Sequence, residues 1–301
     1  MGAGTPADGV LLLDKSPGIT STRGLAMARR ALDASKGGHT GTLDPFATGL
    51  LPLVFGEATK FSRFLLDSTK AYEATLCLGQ ETETGDTESP ARVVSDDIPD
   101  SQKIGDVCGI FVGDIEQIPP MHSAVHIAGK RLYEYAREGR TVDRPPRQVH
   151  VFRLDILRIE GAVLEIRVVC SKGTYIRVLA ADIGRALGCG AYLTGLRRTA
   201  VGAFRIEDAV TLDELGAMGS SKARMRLLPV EALVAALPRL DIEGDAETRF
   251  RQGQAIAVPV APGVIAVFGA SRGFLGVGEV QGDALAPLRL VAETAKSPDF
   301  A

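Results

Sequence analysis

The chain has 301 residues, 45% hydrophobic and 24% charged, with a net charge of −3. This composition supplies a packed core and excludes a disordered chain, and the length sets a prior of about two domains. No apolar run approaches the roughly 18 residues of a membrane-spanning helix, and the N-terminus lacks the basic and long apolar regions of a secretory signal.

Residues 9–14, GVLLLD, read as a short buried strand closed by a Pro17-Gly18 turn. Ser21 is placed to cap a helix over about 22–34, with Leu25, Ala28 and Leu32 on one face. Then comes GHTGTLDPFATGLLPL at 38–53. Pro45 disfavours the α region for Asp44, and two readings of Asp44 stand. It is an N-cap, with Pro45 at the first helical position and Gly49 ending a single turn. Or it is a presented carboxylate, ionised at an ordinary pKa near 3.9 and suited to act as nucleophile or base. No second acid accompanies it, so two-carboxylate glycosidase chemistry is not supported. His39 is either a loop hydrogen-bonder or a wedge that meets displaced bases.

Residues 72–78, YEATLCL, alternate as a strand with Tyr72, Ala74, Leu76 and Leu78 on one face. Tyr72 is then a core aromatic, or a stacking platform with a hydroxyl on a proton path. Residues 81–117 carry ten acids against Arg92 and Lys103. Residues 130–153 carry Lys130, Arg131, Arg137, Arg140, Arg144, Arg147 and Arg153 against Glu134, Glu138 and Asp143. The first stretch repels phosphates and the second attracts them, unless both are solvated faces. Residues 108–131 read as short proline-broken pieces; His122 and His126 within them lack a third metal ligand.

Residues 150–158 and 162–170 read as strands. Thr174 is placed to cap a helix with Ile176, Leu179, Ala180, Ile183 and Leu187 on one stripe and Gly188 as its stop. Arg177 falls at the third helical position, where the dipole disfavours a cation by roughly 0.3–1 kcal/mol. It is either exposed or meets a carboxylate or phosphate. GAMGSSKAR at 216–224 reads as flexible, a helical piece follows at about 229–237, and Pro238 opens a small all-β module of glycine-punctuated strands. Earlier strands and helices do not alternate strictly, which makes the main domain α+β, not doubly wound. No P-loop occurs, and GVGEVQG at 276–282 has the wrong spacing for a dinucleotide fingerprint. Cys77, Cys108, Cys170 and Cys189 form no C-x-x-C pair and read as free thiols of a reducing cytoplasm. No cofactor or metal is expected, and the chemistry should be redox-neutral.

GHTGTLDPFATGLLPL, GEATKF, KAYEATLCLG, SKGTYIRVLAADIG and LRRTAVG, in that order, resemble the bacterial tRNA pseudouridine-55 synthases of the TruB type, over about residues 9–295. The resemblance implies an α+β fold: a mixed, largely antiparallel central sheet flanked by helices, with a small C-terminal all-β PUA-like module. It implies a catalytic domain over 1–237, with an RNA-gripping insertion at about 119–150, and an RNA-binding module over 238–301. The implied reaction is isomerisation of uridine to pseudouridine in the tRNA T loop, without cofactor. The implied enzyme is cytoplasmic and monomeric, with no obligate protein partner and no membrane association, and its C-terminal module meets the acceptor end of tRNA.

By the same resemblance the catalytic aspartate falls on Asp44, the tyrosine at the substrate base on Tyr72, and the arginine paired with the aspartate on Arg177. That pair would keep Asp44 ionised and aim it. Lys15 supports the active-site region, His39 contacts the RNA loop, Leu196 lines the pocket and Tyr175 lies beside it. The target uridine must be flipped out to be reached, and the RNA contact is salt-sensitive. One departure is visible. The family commonly has Lys-Pro-x-Gly where this chain has Lys15-Ser16-Pro17-Gly18, which puts the placement of Lys15 in question. Competing readings are an RNA-folding helper with secondary or no catalysis, and a nucleosidic-bond hydrolase that would leave an abasic product.

Overall fold

The computed structural model describes residues 7–123, 125–127, 129–270 and 273–292. The expected domain ends at 1–6 and 293–301 therefore lie outside the described residues, as does the last part of the resemblance, 293–295.

The larger sheet has 10 strands. They are β1 (Gly9–Lys15), β2 (Gly37–His39), β3 (Thr48–Phe55), β4 (Lys70–Leu78), β5 (Gly113–Gln117), β6 (Arg147–Glu160), β7 (Val163–Cys170), β8 (Ala191–Val201), β9 (Phe204–Arg205) and β10 (Val210–Thr211). The spatial order is β10-β1-β3-β8-β4-β7-β6-β5, with β2 beside β3 and β9 beside β8. Only β1 with β10 and β3 with β8 pair in parallel; the other pairs are antiparallel. The sheet is thus mixed and largely antiparallel.

Burial explains why the central strands read as unbroken apolar runs. Leu11 and Leu13 of β1 join one core cluster, while Val10 and Leu12 join another on the opposite face. A strand covered on both sides has no polar face to alternate with. The first cluster packs the sheet against helices α1 (Ser21–Ala31), α2 (Ser101–Ile110) and α3 (Ile176–Leu187). On α3 the expected stripe Ile176, Leu179, Ala180, Ile183 and Leu187 is buried, and Gly188 ends the helix in the left-handed conformation.

The second cluster joins the sheet to the C-terminal module through Ala266 and Val277. That module is a five-stranded sheet: β11 (Arg239–Ile242), β12 (Ile256–Ala257), β13 (Gly263–Gly269), β14 (Gly273–Gln281) and β15 (Ala284–Leu290), in the order β11-β13-β14-β15-β12. It carries one helix the sequence reading omitted, α4 (Gly244–Arg251), which buries Phe250 in the module's core. The 3-10 turn Gly56–Phe61 fastens the module to the end of β3. Glu57 accepts from Ala292 N at 2.6 Å and pairs with Lys60 at 2.6 Å, Lys60 donates to Leu290 O at 3.4 Å, and Phe61 packs on Phe274.

Several local expectations are corrected. Thr20, not Ser21, caps α1, accepting from Arg23 N at 3.1 Å. Thr174 does not cap α3; its hydroxyl donates to Ser171 O, the helix begins at Ile176, and Arg177 is its second residue. GAMGSSKAR is not a flexible linker. It lies in two short helices, Leu212–Ala217 and Ser220–Arg224, that bury Leu215 and Ala223; the first is closed by a capping box from Thr211 and Glu214. The piece near 229–237 is a 3-10 turn, Val230–Val234. Within the acidic stretch, Asp100 caps α2 by accepting from Lys103 N at 2.8 Å. Its buried face is short, made of Ile104, Val107 and Cys108.

Candidate active site

Asp44 is neither a helix cap nor in a helix. It lies in the loop between β2 and β3, Ala47 N donates back to its carbonyl at 3.2 Å, and Gly49 is already in β3. The loop is pinned on both sides of the carboxylate. Before it, the Ser21 hydroxyl donates to Leu43 O and accepts from Leu43 N, at 3.0 and 2.8 Å. After it, Pro45 O accepts from Gly18 N at 2.8 Å and from Lys15 Nζ at 3.2 Å. Lys15 is fully buried and also donates to Ser16 O and Ile19 O, so Ser16 in place of proline still lets the lysine reach the loop. Burial lowers the Lys15 ammonium to about 8, against the opposite pull of Asp44.

Arg177 brings the distant parts together. Its Nε donates to Asp44 Oδ2 at 2.8 Å, Nη1 to Thr84 O at 3.0 Å and Nη2 to His122 O at 2.9 Å. The guanidinium is 5% exposed and the Asp44 side chain 33% exposed, so the anchor is buried while the carboxylate faces the opening. The helix dipole therefore is answered by a carboxylate, one of the two options left by the sequence.

The lone-carboxylate picture needs revision. Asp86, 1% exposed, places Oδ2 at 3.5 Å from Arg177 Nε. Its other oxygen accepts from Thr84 Oγ1 at 2.6 Å and Glu88 N at 2.9 Å. Burial pushes the Asp44 carboxyl above its ordinary value; Arg177 pulls it down and Asp86 pushes it up again. The ion pair thus aims the carboxylate and lowers its basicity, but burial outweighs that pull.

These groups line a cavity of about 800 Å³. His39, Asp44, Tyr72, Tyr175, Arg177 and Leu196 all reach it, while Lys15 stands behind the loop and does not. Tyr72 is 9% exposed on β4, and burial pushes its phenol up, which removes it as a base at neutral pH. His39 ends β2 with Nδ1 buried and without a hydrogen-bond partner, and burial lowers its imidazole, so it is neutral at pH 7. Gln117 brackets Tyr175 by accepting from its backbone N–H and donating to its carbonyl, at 2.9 and 3.2 Å. Among the described residues no group of three or more His, Cys, Asp or Glu is arranged to hold a metal ion.

The basic stretch is only partly open to a polyanion. Lys130 pairs with Glu138, Arg153 with Asp155 at 2.6 Å, and Arg144 donates to Pro119 O, whereas Arg137 reaches the cavity. The Arg131 side chain lies outside the described residues. Sequence reasoning missed Asp86 and Arg198. Asp86 offered little signal inside an acid-rich run. Arg198 offered one, because Leu196, Arg198 and Val201 of β8 are all buried and an arginine on the buried face of a strand demands an explanation.

Residues 29–176 match the TruB family pseudouridylate synthase N-terminal domain, residues 177–235 the tRNA pseudouridylate synthase B C-terminal domain, and residues 238–291 the pseudouridine synthase II TruB C-terminal family. The chain is 54% identical over 288 residues to a tRNA pseudouridine synthase B of Dechloromonas aromatica, covering 94% of this chain and 95% of that one. It is 51% identical to one of Aromatoleum aromaticum, covering 96% and 94%. Among solved structures it resembles an archaeal box H/ACA sRNP Nop10–Cbf5 complex, with a TM-score of 0.72, 26% identity and coverage of 94% and 86%. An H/ACA RNP bound to a substrate RNA containing 2′-deoxyuridine gives a TM-score of 0.74 at 26% identity, with coverage of 96% and 87%. From its matched domains and its identity to these synthases over nearly its whole length, the chain belongs to the TruB family of pseudouridine synthases.

Proposed function

We propose that this chain isomerises uridine to pseudouridine in the T loop of tRNA, at position 55. The observation that carries the reading is the Asp44–Arg177–Asp86 cluster at the wall of a cavity that Tyr72 and Leu196 also line. In the reaction the N1–C1′ bond of uridine breaks, the uracil turns, and a C5–C1′ bond forms. The proton leaves C5 and N1 gains one, so no atom is lost and no electron acceptor is needed. Asp44 is the nucleophile or base. The Arg177 bond falls on Oδ2; among the described residues no donor engages Oδ1, which leaves it for the substrate.

A cavity of about 800 Å³ with Asp44 in its wall supports base flipping, with neutral His39 as the group that meets the displaced loop bases. Lys15 supports the loop carrying Asp44, and Tyr175 shapes the cavity rim beside Arg177. We assign residues 1–237 to the catalytic domain, with the RNA-gripping insertion at about 119–150, and residues 238–301 to an RNA-binding module that meets the acceptor end. The enzyme works as a cytoplasmic monomer, and no helix of the described residues is long and apolar enough to cross a membrane.

The test is to incubate unmodified tRNA with the purified protein and map pseudouridine. Product at the T-loop uridine is expected, and Asp44→Ala should abolish it while T-arm binding remains. No product with the wild-type chain overturns the reading.

A further inference from the structure

Two cations are buried in the cavity wall without an acid to answer them. Lys70 opens β4 at 9% exposure, Arg198 on neighbouring β8 is 2% exposed, and both line the cavity that Asp44 lines. Among the described residues neither forms an ion pair: Asp44 and Asp86 share Arg177, and Asp67 pairs with Lys172 at 2.7 Å. Arg198 donates to the backbone instead, to Leu50 O at 2.7 Å, Gly41 O at 3.3 Å and Thr42 O at 3.5 Å. Lys70 Nζ donates to Leu66 O at 2.7 Å and Ser68 O at 2.5 Å. An ammonium carries three donors, so one N–H of Lys70 has no acceptor among the described residues.

A buried charge without a counter-ion is costly, and a second of the same sign nearby adds to that cost. Burial, and then the like charge of Arg198, hold the Lys70 ammonium down to about 8, so it is still charged at pH 7. An anion in the cavity would relieve both groups. The strand register shows where it would sit. Lys70 and Tyr72 lie on the same buried face of β4, two residues or roughly 6.6 Å apart, and Arg198 lies across from Tyr72. That spacing is comparable with the reach from a base to the phosphate of its own nucleotide.

Resting on the reading of the chain as a pseudouridine synthase, we infer that Lys70 binds a backbone phosphate of the flipped nucleotide, with the Arg198 charge beside it strengthening the hold. The phosphate takes no part in the bonds that break and form. The sugar therefore stays anchored while the uracil turns.

The experiment compares wild type, Lys70→Met and Lys70→Arg in single turnover on a T-arm stem-loop at several salt concentrations, with thermal melting beside it. Lys70→Met is expected to lower kcat/KM by roughly 10- to 150-fold, the equivalent of one lost hydrogen bond to a charged group. Its slope of log kcat/KM against log salt should be shallower by roughly 0.7–0.9, one phosphate contact, whereas Lys70→Arg should keep the wild-type slope. Two further substrates carry a neutral methylphosphonate in place of the 5′ or the 3′ phosphate of the target uridine. On one of them Lys70→Met should lose about tenfold less than on the natural RNA, because the contact is already gone. An unchanged salt slope, or equal losses on all three substrates, reduces Lys70 to a support of the Leu66–Ser68 turn and overturns the inference, as does a near-wild-type Lys70→Met. Should Lys70→Met fail to fold, RNA affinity of wild type and Lys70→Arg across pH 7–10 decides. The wild type should weaken as pH rises past about 8 and the ammonium loses its proton, while Lys70→Arg holds steady; parallel profiles overturn the inference. A wild type that binds RNA but does not isomerise overturns the assigned reaction instead, and the methylphosphonate comparison read in affinity still tests the phosphate contact.

Discussion

Arg177→Lys tests whether the arginine's fork, and not just its charge, organises the site. At 2.8 Å and an effective dielectric of about 20, the gross attraction between Arg177 and Asp44 is about 6 kcal/mol. A lysine keeps most of that charge term. It cannot keep the geometry, because Arg177 donates in three directions, to Asp44, Thr84 O and His122 O. A single ammonium at the end of a flexible stem cannot occupy all three. Losing a hydrogen bond to a charged group costs roughly 1.5–3 kcal/mol. If that loss falls on the transition state, the rate drops by roughly 10- to 150-fold. The assay is single-turnover tritium release from a T-arm stem-loop labelled at uridine C5, where the reaction expels a proton. Thermal melting and RNA affinity are measured beside it, to separate loss of chemistry from loss of fold. A folded Arg177→Lys protein with a near-wild-type rate would refute the reasoning.

Other perturbations follow from the same contacts. The Asp44 carboxyl sits above its ordinary value, so the acidic limb of the rate–pH profile should lie at higher pH than for an ordinary aspartate, as single-turnover rates across pH 4–7 would report. The raised value also means that the folded state binds this proton more tightly than the unfolded chain does. The ionised form weakens folding above the folded value, and acid relieves that cost. Asp44→Asn should therefore abolish turnover and raise the melting temperature near pH 7 relative to wild type, with the gap narrowing as pH falls. Gly49→Ala should destabilise the protein in urea, since its φ is +100° and an added Cβ would lie 2.3 Å from Arg198 O; backbone strain alone costs roughly 1–3 kcal/mol. Glu57→Ala should speed proteolysis at the C-terminal end by freeing Ala292 N and the Lys60 ammonium, while leaving the melting of the main domain nearly unchanged.

The legible parts of the sequence were those with local periodicity. The alternation of Tyr72, Ala74, Leu76 and Leu78 specified β4, and the stripe ending at Gly188 specified α3. Single-residue caps were less legible, because Thr20 and Ser21 both suit a helix start and tertiary demand on Leu43 decided between them. Asp44 was singled out by its loop, yet its helical-turn reading failed because β3 claims Gly49 for the sheet. The missing half of the electrostatics could not be read locally. Asp86 and Arg177 are separated by long stretches of chain, and only folding shows that both acids share one guanidinium. Arg198 was readable in principle from the rhythm of β8, but a register shift between Leu193 and Gly195 breaks the alternation just before it.

The turn at Gly56–Phe61 gives the molecule a caliper. One of its jaws is the loop bearing Asp44 and the other is the sheet of the C-terminal module, and β3 is the bar between them. Eight residues of strand span roughly 25 Å at about 3.3 Å each. The bar is buried over nearly its whole length and clamped at its far end by Glu57, Lys60 and Phe61. If the C-terminal module meets RNA as proposed, an RNA that touched both jaws would be measured against a fixed length, and a helix one turn too short or too long would miss one of them.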